Sequence, residues 1–553
     1  MQLGSTAARP LTVRFASSAC LGIACALAAP ASADEFEAFT WARHHPASTD
    51  HVSALIQVDP WSNLDEVAAT LRSLPEGKRF IVFQWIAEDL ADHPADRVLE
   101  RTWEVRTRQV PATNGVSGPS ATSTATSTTK GSITMASQGR AGGSALTAKS
   151  SATAPSKSQV QPKLVTVTER VQVDRPTQFR GPWMDNGIAA VRSRVQSIMR
   201  RLVSLNAPVD GVVLSNETTL HAACFLGRDG SLAAIQNDPR WPTLARSMGL
   251  PALITDMSWG SEKYFQWTER MAGRFDAAMN QAVYAPIRSF YPNAAVSNYC
   301  TGRLTAAFAS PDINGHHDRR MTSGFGSHDN FEFYGWLAEN RIIKARGTGE
   351  VDSSWLAFRV EMHKIRGMNA SSPRPKHAWI AQRSWEGESW GPVAFAADPL
   401  WDELVLQLGM HGVRQFLELS IEDFSVSREQ NLALRTQDRS RLDGLLGELN
   451  ARASGSSSGV LVASQPSWND RVIATGRRVD DRIVWRFSFA PGIDAIKVRF
   501  ADGTHLVLEA EAGRRGAWLE HPASNALVLD AAGRAPSIEI VAVGPEGTAP
   551  AGG

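Results

Sequence analysis

Gly211-Val212-Val213-Leu214-Ser215-Asn216-Glu217 is an apolar run of strand length that stops abruptly on an Asn-Glu pair. A buried strand gains nothing from a glutamate at its end, so Glu217 needs either a partner or a task. One reading is a carboxylate that caps the turn or helix that follows. The other is a carboxyl group presented at a strand end for chemistry. Thr218 and Thr219 stand next in the chain and are able to cap instead, so the stretch is read here as chemistry.

Working outward, 38–41, 52–58 and 80–86 read as short apolar strands, and 64–74 has a helical period. Beyond the Asn-Glu strand, 294–299, 377–382 and 413–419 read as strands. Helical patterns cover 186–205, 239–248, 265–290, 355–368, 398–410 and 428–449. Strands alternating with helices predict a parallel sheet covered by helices. No phosphate-gripping glycine loop follows an early strand, which disfavours a doubly wound open sheet. The fold class is therefore α/β: a (β/α)8 TIM-like barrel over 34–453, with its eighth strand hidden between Gly302 and Glu350, where no pattern places it. From about 109 to 161 Ser, Thr, Ala and Gly dominate, as in Ala121-Thr122-Ser123-Thr124-Ala125, and the segment reads as a disordered insertion. Past the Gly/Ser link 454–459, short strands at 460–463, 472–474, 483–489, 495–500, 504–509, 526–529 and 537–543 predict an all-β sandwich domain over 460–545.

The chain has 553 residues, with 57 Lys plus Arg against 56 Asp plus Glu and a formal charge of +1. Nothing in that balance steers a polyanion, so nucleic acid is not an expected partner. Residues 1–33 read as a signal peptide: Arg9 and Arg14, an apolar stretch from Phe15 to Ala29, and Ala31-Ser32-Ala33 as the cleavage site. No later run reaches the roughly 18 apolar residues of a membrane span. The expectation is a secreted or periplasmic protein whose mature chain begins near Asp34. Cys20 and Cys25 leave with the signal. Cys224 and Cys300 remain, either bridged or as two buried thiols. Composition is silent on oligomeric state.

In a barrel of this kind the active site lies at the C-terminal ends of the strands. The polar residues closing each strand are His44 and His45, then Asp59, then Glu88 and Asp89, then Asn216 and Glu217. They continue with Asn298 and Tyr299, then Arg383, Trp385, Glu386 and Glu388, and end with Glu418 and Glu422. Carboxylates thus gather at one rim, with Glu418 read as half of a structural ion pair. A strand-end Asn-Glu on strand four and a second glutamate after strand seven resembles the clan A retaining glycoside hydrolases. The resemblance implies Glu217 as acid/base and Glu386 or Glu388 as nucleophile. It departs from the family in that Gln382 holds the strand-seven end and Glu386 lies four residues on. The chemistry needs carboxyls about 5 to 5.5 Å apart for direct attack, or about 6.5 to 9.5 Å with a water between.

Seventeen tryptophans are many for one chain, and Trp61, Trp85, Trp183, Trp259, Trp385 and Trp390 fall in expected rim loops. Indole planes pack against the C–H faces of sugar rings. The expected carbohydrate contacts are Asn216, Trp85, Trp183, Asn298, Tyr299, His328, Trp385 and Trp390. No cofactor is expected. Two alternatives stay open: a non-catalytic glycan-binding barrel, and a metal-dependent hydrolase using His316-His317-Asp318 with His328-Asp329-Asn330. The second lacks any HExxH or paired-cysteine spacing.

Overall fold

Gly211–Leu214 is a strand buried on both faces, as its apolar run predicts. It belongs to an eight-stranded parallel sheet that the computed structural model builds from strands spread over most of the chain. The structure describes residues 35–41, 49–91, 93–111, 164–215, 231–255, 262–299, 325–335, 353–383, 399–419, 427–455, 461–463, 471–525, 527 and 539–541. The chain divides into two units, Met1–Val98 with Gln178–Gly553, and Leu99–Thr177.

In chain order the elements up to the fourth barrel strand are β1 (Glu37–Trp41), β2 (Val52–Gln57), α1 (Leu64–Ser73), β3 (Phe80–Phe83), α2 (Ile86–Ala91), β4 (Leu99–Pro111), β5 (Leu164–Pro176), α3 (Asp185–Ser204) and β6 (Gly211–Leu214). Then follow α4 (Ser231–Asn237), α5 (Trp241–Ser247), α6 (Glu262–Met279), α7 (Ala285–Phe290), β7 (Ala295–Asn298), β8 (Asp329–Glu332), α8 (Ser353–Ser371), β9 (Lys376–Ile380), α9 (Leu400–Met410), β10 (Gln415–Leu419) and α10 (Arg428–Ala453). The sheet order is β7-β6-β3-β2-β1-β10-β9-β8, which is the chain order of eight barrel strands, so the sheet curls into a nearly closed (β/α)8 barrel. The ladder stops between β7 and β8, and other bonds close that seam. Ser327 and His328 donate their backbone N–H groups to the Val296 carbonyl at 2.8 and 3.1 Å. Asn330 Nδ2 donates to Ser297 Oγ at 2.9 Å, and the Tyr299 hydroxyl donates to Glu332 at 2.7 Å.

The hidden eighth strand is β8. The order makes β6 the fourth strand and β9 the seventh, as the count along the sequence has it. Parallel register fixes which side chains share the interior: Phe39, Leu417 and Trp379 are level, and Phe80 lies level with Gly211. A Cβ on Gly211 would meet the Phe80 ring at 2.1 Å, so the glycine that opens the strand leaves room for that ring. Phe80 in turn stacks on Phe39 at 4.0 Å. Helix α10 starts at the capping box that Ser427 and Gln430 form, with bonds of 3.2 and 2.9 Å.

Two segments differ from expectation. Glu88 and Asp89 lie in α2, not on a strand end, and Asp89 pairs with Arg194 of α3. Residues 109–111, the start of the expected insertion, instead finish β4, which pairs with β5 along thirteen-residue strands. Residues 112–163 lie outside the described set.

The C-terminal strands are β11 (Leu461–Ala463), β12 (Val472–Val479), β13 (Arg482–Phe489), β14 (Ala495–Arg499), β15 (His505–Glu509), β16 (Gly516–Pro522) and β17 (Glu539–Val541). They form two sheets, β11-β12-β13-β16 and β15-β14-β17, whose apolar faces share one core. Strand β16 is absent from the sequence reading, and of 526–529 only Leu527 is described, bridged to Phe500. No described helix is long and apolar enough to cross a membrane.

Candidate functional site

The barrel interior is polar at two levels. At the N-terminal end of the strands, His377 begins a fully enclosed network. Its Nδ1 lies 2.7 Å from Ser297 Oγ and its Nε2 lies 2.6 Å from Gln415 Oε1. With Gln415 accepting, Nε2 carries the proton and Nδ1 accepts from the serine. Asn330 Nδ2 donates to the same serine, and the His328 ring stacks on His377 at 4.6 Å. A serine beside an imidazole has the outline of a nucleophile and base. Here no atom of Ser297 or His377 reaches solvent, and the pair sits at the end of the barrel away from the C-terminal rim, so it serves as a buried polar plug. Burial pulls the His377 imidazole down to about 4, the Gln415 bond opposing, and burial with the nearby His377 charge pulls His328 well below its usual value.

A depressed histidine is neutral when folded, so its stabilising share is complete above pH 6.5 and is lost as pH falls toward 4. The stability of the protein relative to a His377→Gln variant is therefore expected to shrink by about 3 kcal/mol over that window. Urea midpoints taken at intervals from pH 7 to 4 measure it, and a gap that does not change with pH would contradict the neutral plug.

At the C-terminal end the interior carries a different set. Trp379 of β9 sits between Trp41 of β1 and Tyr299, edge-on to each at 5.9 and 5.8 Å. Level with Trp379 on the neighbouring strand is Glu332, the last residue of β8. Its carboxylate is 2% exposed; Oε2 accepts from the Tyr299 hydroxyl at 2.7 Å, and among the described residues Oε1 has no hydrogen bond. The Trp379 indole N–H is likewise buried without a hydrogen bond among the described residues. Toward the rim Trp41 Nε1 donates to Gln57 Oε1 at 3.4 Å, and Gln57 Nε2 donates to Asp59 at 2.8 Å. Buried polar atoms ordinarily find partners, and those without one mark strain or a function. Glu332 and Trp379 thus stand level on neighbouring strands, each with a buried polar atom left without a partner among the described residues, next to the Tyr299 ring.

Glu217, Glu386, Glu388, Asn216, Trp385 and Trp390 all lie outside the described residues. Of the expected contacts that are described, Tyr299 faces the interior beside Glu332. Asn298 is buried on the opposite face of its strand from Ser297 and Tyr299. Trp85 and Trp183 are packed into the cluster beneath the first helices. Trp85 Nε1 donates to the Val58 carbonyl at 3.2 Å, and Arg240 lies over the Trp183 ring at 4.0 Å. His328 sits at the opposite end of the barrel. Glu418 faces α10 and accepts from Thr40 Oγ1 at 2.7 Å. Its carboxyl is held above the usual range by burial, with Asp438 adding to the effect and Arg439 and Arg383 opposing. Arg383 meets both oxygens of Asp438 at 2.5 and 2.6 Å.

Glu332 itself escaped the sequence reading, although Asn330-Phe331-Glu332-Phe333 alternates polar with apolar as a half-buried strand does. Among the described residues no three His, Cys, Asp or Glu side chains converge as metal ligands would, and His316, His317 and Asp318 lie outside them.

No family model and no curated protein matches the chain. Solved structures do, at low similarity. A glycoside hydrolase family 5 protein from Bacteroides vulgatus is 10% identical, with 88% of this chain and 90% of that one covered and a TM-score of 0.32. A debranching enzyme from Nostoc punctiforme is 10% identical, covering 64% and 65%, with a TM-score of 0.29. A family GH36 α-galactosidase from Geobacillus stearothermophilus is 9% identical at a TM-score of 0.28; 63% of this chain is covered, and it spans only 39% of that enzyme's length. These structural neighbours are glycoside hydrolases, but similarity this low assigns no chemistry, and the barrel stands on its own strand order.

Proposed function

We propose that the protein is an exported glycoside hydrolase that cleaves glycosidic bonds of a poly- or oligosaccharide with two carboxyl groups and retention of configuration. The observation that supports it is Glu332: a carboxylate closing a barrel strand, turned inward, oriented by the Tyr299 phenol, left with one oxygen unbonded among the described residues, and level with Trp379 on the next strand. A sugar ring placed there would meet aromatic faces for its C–H surface, a donor for a hydroxyl and an oxygen able to attack or to steady positive charge at the anomeric carbon. Glu217, two residues beyond Ser215 in the fourth βα segment, is the acid/base. The nucleophile is Glu332, Glu386 or Glu388.

Variants separate these roles. Glu217→Ala is expected to abolish turnover of sugars with poor leaving groups and to keep it on activated aryl glycosides. Azide should then return a glycosyl azide of retained configuration. Loss of the true nucleophile among Glu332, Glu386 and Glu388 removes both activities, and azide should then give the inverted product. Normal turnover by folded Glu217→Ala on poor leaving groups would remove the proposal. Amino-terminal sequencing of the exported protein should find a start near Asp34.

A further inference from the structure

The turn between β2 and α1 carries Trp61 with 80% of its surface exposed. Every other described tryptophan of the unit that holds the barrel is at least partly buried. The turn is not loose. Asp59 N–H donates to Ser62 Oγ at 2.8 Å and Ser62 N–H returns to the Asp59 carbonyl at 3.0 Å. Val58 is fixed on both sides, its N–H donating to Val82 at 2.9 Å and its carbonyl accepting from Trp85 at 3.2 Å. Asn63 then caps α1 through its side chain, accepting from the Asp65 N–H at 3.2 Å. A rigid six-residue turn therefore holds an indole out in water, where its ring gains nothing for the fold.

The same segment of chain carries polar groups. Gln57 and Asp59 bond each other and connect through Trp41 to the Trp379 and Glu332 layer, so a row of aromatic and hydrogen-bonding groups runs from the interior to the rim. Trp61 is four residues past Gln57, at most about 14 Å along an extended chain. We infer that Trp61, with Asp59 and Gln57 of the same segment, is an outer sugar-binding platform that holds a second part of an extended carbohydrate chain, so that the substrate is a polysaccharide and not a small glycoside. The indole face takes the C–H side of a pyranose ring, and the Asp59 carboxylate accepts from its hydroxyls. This rests on the proposed glycan chemistry of the same barrel mouth and extends it to substrate length.

The test is affinity electrophoresis in native gels containing soluble xylan, mixed-linkage β-glucan, starch or galactomannan, with the Glu217→Ala protein as the parent, whose expected loss of turnover on natural linkages keeps the gels undigested. The parent should be retarded in at least one gel. Adding Trp61→Ala should weaken that retardation about tenfold with an unchanged melting temperature, and Trp61→Phe should restore much of it. Equal retardation with and without Trp61, or none for the parent in any gel, overturns the inference. Retardation that depends on Trp61 in a protein that hydrolyses nothing upholds the platform and removes the hydrolase.

Discussion

Glu332→Gln is expected to lower turnover at least about 10³-fold, near 4 kcal/mol of transition-state stabilisation, while leaving the protein about as stable as before. The two halves of that expectation come from the same atoms. Gln keeps the shape of Glu and an oxygen to accept from the Tyr299 hydroxyl, so the 2.7 Å bond survives. It removes the negative charge that an oxocarbenium-like transition state would feel, whether that carboxylate attacks the anomeric carbon or only steadies the charge there. A buried, unbonded carboxylate oxygen carries a desolvation penalty of about 1 to 3 kcal/mol, and the unpaired amide NH2 that replaces it costs about as much, so the fold is left near its original stability. Steady-state kinetics on an activated aryl glycoside, set beside thermal melts, give both readings. Full activity would show that Glu332 is an ordinary core residue, and a large fall in melting temperature would show that it holds the barrel seam together.

The same residue explains where sequence reasoning reached and where it stopped. The barrel was legible because its strands 80–83 and 211–214 are apolar on both faces, as strands of a covered parallel sheet must be, and 52–57 is apolar along most of its length. Strand β8 is the exception. Asn330 and Glu332 turn inward to bond Ser297 and Tyr299, and Asp329 meets Arg374 at 2.5 Å and Lys376 at 3.4 Å, so three of its four residues are polar and the run resembles a loop. Such a polar run can stand in a buried strand only because Asp329, the Asn330 amide N–H and one oxygen of Glu332 are answered from other parts of the fold, information that a local window does not contain. The ribbon β4–β5 was hidden for the opposite reason. Charges such as Arg101 and Asp174 pair across it at 3.0 Å, so neither face is uniformly apolar. Trp85 and Trp183 were legible as aromatic but not as buried, because an indole that seals a helix and an indole that meets a sugar look alike in a sequence.

Arg486→Met is expected to destabilise the protein by about 3 to 5 kcal/mol, the largest effect on stability foreseen from any one substitution here. Arg486 lies on β13 of the sandwich and Glu403 on α9 of the barrel, and neither side chain reaches solvent. Arg486 Nε donates to Glu403 Oε2 at 2.9 Å, a second guanidinium N–H bonds Oε1, and Nη1 donates to Glu511 at 3.0 Å. Ser488 Oγ adds a bond to Glu403 at 2.8 Å, and Gln407 reaches Ser488 and the Arg486 carbonyl at 2.9 and 3.1 Å. Burial alone would pull the guanidinium down, but the Glu403 and Glu511 carboxylates outweigh it and hold it above its ordinary value. Gly516 belongs to the same packing, since a Cβ there would stand 2.7 Å from Glu403 Oε2. Removing the arginine strands the Glu403 carboxylate in this enclosure, whereas removing Arg486 and Glu403 together leaves only the half-buried Glu511 carboxylate, which water reaches. The double variant Arg486→Met with Glu403→Met is therefore expected to recover most of the loss, and urea titrations of the four proteins isolate the coupling. The consequence reaches past one ion pair. If the sandwich is fixed to α9 in this way, it is a wall of the barrel and not an appended module, and a chain ending at Gly455 should fail to fold to a soluble barrel. A stable, cooperatively melting protein from that shortened chain would show that the barrel does not need the sandwich.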